Sequence, residues 1–141
     1  MDFLFTTDSG VFSRKELDAG SECLLYALIK DLEGKKTEGL ELLDLGCGYG
    51  AIGIIIKRLF PGLVLNMTDI HPGALKLTKT NCDQNFIKYP KIFHSDALEG
   101  TNNRYDIIVT NPPIRAGKST VFRFYEASLR RLNPGGCLYV V

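Results

Sequence analysis

The stretch LELLDLGCGYGAIGIIIKRL, residues 40–59, joins two apolar runs through a glycine-rich turn. The first run, LELLD, has the length of a buried strand, and GAIGIIIKRLFPG has that of a helix closed by Pro61 and Gly62. Between the two runs, Gly46, Gly48 and Gly50 let the backbone turn tightly and lie against a ligand without side chains in the way. The stretch therefore predicts a strand, a ligand-binding loop and a helix, in that order.

Three further apolar runs follow, and each stops at a short polar residue. LVLNMTD ends at Asp69, KIFHSD at Asp96 and YDIIVTN at Asn111, just as LELLD ends at Asp44. HPGALKLTKTNCDQNF, residues 71–86, predicts a helix between the second and third runs. Strands that alternate with helices indicate an α/β fold with a Rossmann-like, doubly wound and mainly parallel sheet. In such sheets ligands bind beyond the carboxyl ends of the strands, so the four polar residues should share one rim.

The remaining segments complete this pattern. AGSECLLYALIKDL (19–32) predicts a helix that covers the sheet, and STVFRFYEASLRRL (119–132) predicts another, ended by residues 133–136. CLYVV (137–141) predicts a fifth strand. Only the eight residues 97–104 separate the third and fourth strands, which is too few for a helical crossover.

Length and composition set the broad class. At 141 residues we expect one domain over 1–141, with an extended segment and a helix in 1–39 and the core in 40–141. The 45% hydrophobic and 23% charged fractions are typical of a soluble globular protein. No secretory signal or membrane span is evident, so we expect a cytoplasmic location and no membrane partner. The oligomeric state is left open.

The cysteines and the net charge narrow the chemistry. The four cysteines are scattered without a CxxC pair, which argues against a metal site or a disulfide framework. Net charge is only +1, but residues 114–136 carry five cations against the single acid Glu126. This basic segment indicates a surface that can attract RNA or another anionic substrate, although basic helices are often merely solvated.

The glycine loop fits two cofactor classes. Gly48, Gly50 and Gly53 form a G-x-G-x-x-G pattern, so a nicotinamide-dependent oxidoreductase is one alternative. Asp44 would oppose a pyrophosphate, whereas it suits a cationic ligand such as the methionine ammonium of S-adenosylmethionine. Asp69 can accept the ribose hydroxyls of either cofactor. S-adenosylmethionine is therefore the favoured cofactor.

Two motifs carry a resemblance to a known family. DLGCGYG resembles motif I of class I S-adenosylmethionine-dependent methyltransferases, and NPPI, residues 111–114, resembles motif IV of those that methylate exocyclic or amide nitrogens. GVFSRKELDAGSECLL together with TNPPIRAGK resembles the RsmC-like small-domain methyltransferases. This group contains the ribosomal RNA small-subunit guanine-N2 methyltransferases, so the resemblance implies ribosomal RNA or the small ribosomal subunit as partner.

The resemblance also implies roles for individual residues. Asn111 and Pro112 would be catalytic and hold the target nitrogen. The cofactor would be bound by Asp44, Gly46, Cys47, Gly48, Gly50, Asp69, Ile70, Asp96, Ala97 and Asn111. The substrate would be bound by Phe12, Pro113, Ile114, Arg115 and Lys118. The family's sheet continues through two further strands, so we expect this chain to lack the last two strands and to expose the edge of its fifth.

The N-P-P sequence suits methyl transfer to an amino group. The lone pair of an exocyclic amine is delocalised, so two acceptors, the Asn111 side-chain oxygen and the Pro112 carbonyl, would orient the nitrogen for attack. No metal is needed. Adenine- and glutamine-modifying relatives usually carry an aromatic residue at the position of Ile114, which favours guanine. Methylation of adenine N6 or of a protein glutamine remains an alternative, as does a non-catalytic RNA-binding module.

Overall fold

The computed structural model describes residues 2–141, and for residues 11–14 and 114 it describes the backbone only. Over this part of the chain seven strands and four α-helices form. They are β1 (Leu4–Thr7), β2 (Gly10–Ser13), α1 (Ala19–Leu32), β3 (Glu41–Leu45), α2 (Ala51–Leu59), β4 (Val64–Asp69), α3 (Pro72–Gln84), β5 (Lys91–His94), β6 (Tyr105–Thr110), α4 (Lys118–Arg131) and β7 (Leu132–Val140). None of these helices is long and apolar enough to cross a membrane.

Five strands form one sheet in the order β5-β4-β3-β6-β7, and every neighbouring pair is parallel. The strand order reverses between β3 and β6, because the chain moves outward to β4 and β5 before it crosses back. This reversal is the switch point at which Rossmann-like sheets bind ligands. The predicted doubly wound parallel sheet is confirmed, with the glycine-rich stretch on its central strand.

Two apolar clusters cover the two faces of the sheet. On one face α1, α2 and α3 contribute to a cluster that includes Leu25, Leu28, Ile54, Ile55, Cys82, Leu42, Leu65 and Met67. On the other face Phe124 of α4 packs with Leu43, Leu45 and Ile108. The link at 97–104 contains no helix, as its length predicts. Ala97 and Leu98 of this link pack on the second face in the place that a helix would take.

The predicted ends of the strands are close to the observed ones. β4 ends at Asp69 as predicted, β3 runs one residue past Asp44, and β6 stops one residue before Asn111. β5 ends at His94, two residues before Asp96. The four polar residues therefore all lie at the carboxyl edge of the sheet.

The predicted start of the last strand is wrong. β7 begins at Leu132, so residues 133–136 lie within the strand instead of separating it from α4. Tyr105 pairs with Leu132 and Ile107 with Cys137, so the six residues 132–137 of β7 run beside the three residues 105–107 of β6. Among the described strands β7 lies at the edge of the sheet, where a proline and an irregular ladder are tolerated.

The N-terminal segment is extended, as predicted, but its pairing is not evident from the sequence. β1 and β2 form an antiparallel hairpin separate from the main sheet, with Phe5 opposite Phe12 in register. Phe5 is fully buried and its ring lies 5.9 Å from that of Tyr49 in the glycine loop. The hairpin is therefore anchored against the ligand-binding loop.

Candidate active site

The glycine loop between β3 and α2 is held by bonds to neighbouring segments. The N–H groups of Gly46 and Cys47 both donate to the Thr68 carbonyl, at 2.9 Å each, and Gly48 N–H donates to Asp69 Oδ2 at 2.9 Å. Gly46 has φ +70°, which favours glycine, and a Cβ there would lie 3.0 Å from the Phe124 ring. The loop therefore takes its shape from protein contacts, and three of its amides are occupied by protein acceptors.

Asp69 lies at the end of β4 beside this loop. One carboxylate oxygen accepts the Gly48 N–H and the other accepts the His71 N–H, both at 2.9 Å. These bonds fix the plane of the carboxylate and leave each oxygen with a further lone pair. Asp69 and Ile70 both line a cavity of about 400 Å³, so Asp69 can accept hydroxyl groups from a ligand there.

The cavity of about 400 Å³ brings together seven of the predicted site residues. It is lined by the predicted residues Gly46, Asp69, Ile70, Asp96, Ala97, Asn111 and Pro113, and by Phe124, Thr120 and Arg123 of α4. A second cavity of about 150 Å³ is lined by Asp18, Asp44, Gly46, Cys47, Gly48 and Asn111, among others. Gly46 and Asn111 line both cavities, so the two cavities meet at these residues.

Asp44 is the buried acid of the smaller cavity. Its side chain is 2% exposed, and Oδ2 accepts the Gly53 N–H of α2 at 3.0 Å. Burial, against the lowering effect of the Gly53 hydrogen bond and with a smaller contribution from the charge of Asp69, raises the pKa of Asp44 to about 7. A buried carboxylate with a raised pKa gains stability from a cation beside it, so this cavity suits a ligand ammonium group.

Asp96 is paired with an arginine that the sequence did not predict as its partner. Arg123 of α4 lies 3.1 Å from Asp96 Oδ1 and 2.8 Å from Glu99 Oε1, and the Asp96 side chain is 42% exposed. Asp96 and Ala97 both line the larger cavity, as predicted. Arg123 belongs to the basic segment that the sequence predicts to attract RNA, but these two acids pair with its charge.

Asn111 follows β6 and contacts the start of α1. Its Nδ2 donates to Asp18 Oδ2 at 3.4 Å, and the same oxygen accepts the Ser21 N–H at 3.1 Å as the N-cap of the helix. Burial opposes ionisation of Asp18, but hydrogen bonds from Ser21 and Gly20 outweigh it and lower the pKa. Because Asp18 takes the amide nitrogen, the Asn111 side-chain oxygen is left to accept a hydrogen bond from a ligand.

The remaining predicted residues fall into three groups. Pro112 is buried, while Arg115 and Lys118 are exposed at the short turn Ile114–Ala116 and the start of α4. Both cations are close in sequence to Ala116 and Thr120, which line the larger cavity. The side chains of Phe12 and Ile114 lie outside the described residues, so their predicted substrate contacts stay predictions.

Cys47 is half-buried. Burial raises the pKa of its thiol far above the ordinary value, and the charge of Asp44 raises it as well. A nucleophilic thiolate at Cys47 is therefore disfavoured.

Two features of the site were missed from the sequence. Asp18 is of a residue type that commonly caps helices, and only the fold brings it to Asn111. Phe124 is one of two phenylalanines in α4, of which Phe122 is exposed and Phe124 is buried in the cavity wall. Which of the two phenylalanines is buried could be predicted from their positions around the helix, once it is known which side of α4 faces the sheet. Among the residues whose side chains are described, no group of histidine, cysteine and acidic residues could hold a metal ion.

Comparison with known proteins identifies the family. The family model described as methyltransferase small domain matches residues 2–141. The uncharacterized protein YbxB of Bacillus subtilis is 42% identical over 142 aligned positions, which cover 99% of this chain and 68% of that protein. Ribosomal RNA small subunit methyltransferase C of Haemophilus influenzae is 36% identical over 136 positions, which cover 94% of this chain and 39% of that protein.

A solved structure agrees with these matches. The T. thermophilus 16S rRNA N2 G1207 methyltransferase RsmC, in complex with AdoMet and guanosine, superposes with a TM-score of 0.79 at 27% identity. The superposition covers 99% of this chain and 41% of that one, so this chain spans about two fifths of that relative. The predicted methyltransferase fold and S-adenosylmethionine as cofactor are confirmed by these matches. The chain belongs to the methyltransferase small-domain family.

Proposed function

We propose that residues 1–141 form a single methyltransferase domain that acts in the cytoplasm on the exocyclic amino group of a guanine in small-subunit ribosomal RNA. One observation carries this proposal. Asn111 lies where the cavity of about 400 Å³ meets the acid-lined cavity of about 150 Å³, with its amide nitrogen held by Asp18. This arrangement presents the Asn111 oxygen, a hydrogen-bond acceptor, beside the space for a cofactor.

The residues that line the two cavities suit the different parts of S-adenosylmethionine. The smaller one offers Asp44 and Asp18 to the ammonium of the methionine part, and the raised pKa of Asp44 favours a cationic neighbour. The larger one offers Asp69 to the ribose, with Asp96, Ala97 and the Phe124 ring beside the space for the adenine. When bound, the cofactor supplies a methyl group on a cationic sulfur, which is open to attack by a nitrogen lone pair.

The chain's own contribution is to position the amino group. The Asn111 oxygen and the Pro112 carbonyl accept hydrogen bonds from its two N–H groups and direct its lone pair towards the methyl group. Asp18 keeps the Asn111 amide from rotating, because rotation would bring the amide oxygen against a carboxylate. The buried Pro112 fixes the backbone behind Asn111 and has no N–H of its own to compete as a donor. After transfer, the nitrogen releases a proton to solvent.

Three lines of support favour guanine in RNA over the alternatives. Methyltransferase C of H. influenzae is a relative at 36% identity, and the T. thermophilus structure contains guanosine. The motif N-P-P-I lacks the aromatic residue that adenine- and glutamine-modifying relatives usually carry. Arg115 and Lys118 are exposed beside the cavity, where they can contact phosphates of a bound RNA.

The geometry of the loop argues against a nicotinamide cofactor. A pyrophosphate binds such loops through free backbone N–H groups. Here the N–H groups of Gly46, Cys47 and Gly48 donate to protein acceptors, and one of these acceptors is the carboxylate of Asp69. An anion placed against this loop would have to displace those bonds and face Asp44. A thermal-shift comparison of the two cofactors tests this point, since stabilisation by NAD but not by S-adenosylmethionine would refute the proposal.

The decisive experiment is transfer of labelled methyl from S-adenosylmethionine to small-subunit particles and to free ribosomal RNA, followed by nucleoside analysis. We expect label in N2-methylguanosine. Label in N6-methyladenosine or in protein glutamine would select the corresponding alternative, and binding of RNA without transfer would indicate the non-catalytic module. Asn111→Ala is the control, because it should keep most cofactor affinity and lose methyl transfer.

A further inference from the structure

Helix α3 carries a buried polar stripe formed by Thr78, Asn81 and Asn85, the last of which caps the helix. None of the three side chains is more than 1% exposed. Thr78 Oγ1 donates to the Gly48 carbonyl at 2.9 Å, so it contacts the glycine loop. Asn85 contacts β1, since it accepts the Leu4 N–H at 3.2 Å and donates to the Leu4 carbonyl at 2.9 Å.

Asn81 lies between these two residues on the helix and contacts both segments. Its Oδ1 accepts the Thr6 N–H at 2.7 Å, and its Nδ2 donates to the Thr6 carbonyl at 2.9 Å and to the Tyr49 carbonyl at 2.8 Å. Both amide hydrogens are therefore used. Since an amide is planar and its bond directions are fixed, Asn81 cannot follow a movement of β1 and keep its bond to Tyr49.

The two asparagines replace a third strand beside the hairpin. Each one pairs with both the N–H and the carbonyl of one β1 residue, Asn85 with Leu4 and Asn81 with Thr6. Residues i and i+4 of a helix are about 6 Å apart along its axis, and residues i and i+2 of a strand are about 6.7 Å apart. The spacings match, so the free edge of β1 is satisfied by side chains of α3.

The hairpin and the glycine loop also share a cavity. Thr7, Asp8 and Ser9 at the hairpin turn and Gly48 and Tyr49 of the loop line a space of about 650 Å³. Gly48 and Tyr49 also line the small cavity that holds Asp44. A change in the conformation of the loop at the cofactor site would therefore occur next to the hairpin turn.

We propose that Asn81 is a positioning residue that couples the β1–β2 hairpin to the cofactor loop, so that S-adenosylmethionine binding and ordering of the hairpin favour each other. The inference rests on the proposed cofactor site and not on the identity of the methyl acceptor. By linkage, a hairpin held in place strengthens cofactor binding by the same factor as the cofactor stabilises the hairpin. Thr78 contacts the loop alone and Asn85 contacts β1 but not the loop, so they serve as controls.

The test combines calorimetric titration with S-adenosylmethionine and amide hydrogen exchange at Thr6 and Leu4. In the unaltered chain the cofactor should slow exchange at Thr6. Asn81→Ala should weaken cofactor binding about tenfold and abolish this slowing. Asn85→Ala should speed exchange at Leu4 but change cofactor affinity less than about twofold. Thr78→Val should weaken cofactor binding without altering hairpin exchange in the absence of cofactor.

Three results separate the possibilities. Equal losses of affinity in Asn85→Ala and Asn81→Ala would mean that general stability, not Asn81, carries the effect, and would overturn the inference. If Asn81→Ala fails to fold, the unaltered chain still decides, because unchanged Thr6 exchange upon cofactor binding rules the coupling out. Absence of any cofactor binding by the unaltered chain would instead overturn the proposed function.

Discussion

Asn111 Nδ2 and the backbone N–H of Ser21 share one acceptor, Oδ2 of Asp18, at 3.4 and 3.1 Å. A single carboxylate thus begins helix α1 and orients the amide proposed to hold the target nitrogen. The helix cap and the orientation of Asn111 can be separated by mutation, because serine caps helices about as well as aspartate but is too short to reach Asn111.

Asp18→Ser should therefore keep the stability of the chain and lower methyl transfer. We expect kcat to fall about tenfold as Asn111 gains rotational freedom, with the unfolding midpoint changed little. Asp18→Ala, which removes the cap as well, should cost about a further 1 kcal/mol of stability. Equal kcat for Asp18→Ser and the unaltered chain would contradict the orienting role.

Gly20 gives a second test of the same contact. A Cβ at Gly20 would lie 3.2 Å from Asn111 Nδ2, from Asp18 Oδ2 and from Val141 Cγ1. Gly20→Ala should reduce methyl transfer because these groups must shift. Gly73 is the matched control, since it is also the second residue of a helix and nothing lies within 4 Å of its Cβ position. Gly73→Ala should raise the free energy of unfolding by up to about 1 kcal/mol and leave kcat unchanged.

The buried Asp44 should make cofactor binding depend on pH. Its pKa is raised to about 7, so the carboxylate that attracts the ligand ammonium is largely protonated at lower pH. We expect S-adenosylmethionine to bind about tenfold more weakly at about pH 6 than at about pH 8. In Asp44→Asn this dependence should flatten, with weak binding at both pH values. A wild-type profile that matches the variant's would exclude Asp44 as the group responsible.

Asp44 also affects the stability of the ligand-free chain, with a pH dependence opposite to that of cofactor binding. Because the folded-state pKa of Asp44 is raised above the unfolded value, its contribution to stability is present at low pH and lost as pH rises from about 4 to about 7. Denaturant unfolding of the unaltered chain and of Asp44→Asn across this range isolates the contribution. We expect the stability difference between the two proteins to shift in favour of the variant as pH rises.

Asp96 and Glu99 both pair with Arg123, and only Asp96 lines the larger cavity. Asp96→Asn should weaken S-adenosylmethionine binding several-fold, because the carboxylate is proposed to contact the adenine. Glu99→Gln removes the charge of the other partner of Arg123 and should leave the affinity unchanged. Both variants should lose less than about 1 kcal/mol of stability, since exposed ion pairs contribute little. Calorimetric titration and thermal unfolding measure the two effects.

Arg115 and Lys118 are proposed to contact RNA phosphates. Reversal of both charges to glutamate should weaken RNA binding most at low salt and reduce the slope of affinity against salt by about two units. Lys35 and Lys36, exposed on the connection before β3 at the opposite edge of the sheet, are the control pair. If both double variants show the same salt slope, Arg115 and Lys118 are ordinary surface residues.

The sequence predicts the architecture well because each element carries its own pattern. The boundaries of α1 are reproduced residue for residue, and the four polar strand ends lie at one edge as expected. The start of β7 is not predictable from the sequence, because residues 133–136 are of types that usually end an element. An edge position lets a strand accommodate them.

The parts of the site that could not be predicted depend on long-range contacts. Asp18 and Asn111 are 93 positions apart, and Asn81 is 75 from Thr6. Neither residue type is unusual where it stands, since aspartate commonly caps helices and asparagine is common near helix ends. Arg123 looked like part of a basic surface until the fold brought Asp96 and Glu99 to it.

The unequal covering of the two sheet faces has a consequence for how the molecule opens. Three helices shield one face, whereas among the described elements α4 is the one helix on the other, and α4 also supplies Phe124, Thr120 and Arg123 to the wall of the larger cavity. Local opening should begin in this thinner layer. A bound cofactor would then pack against α4 as core side chains pack against a buried helix. One face of the sheet would be stable without ligand, and the packing of the other face would be completed by the cofactor.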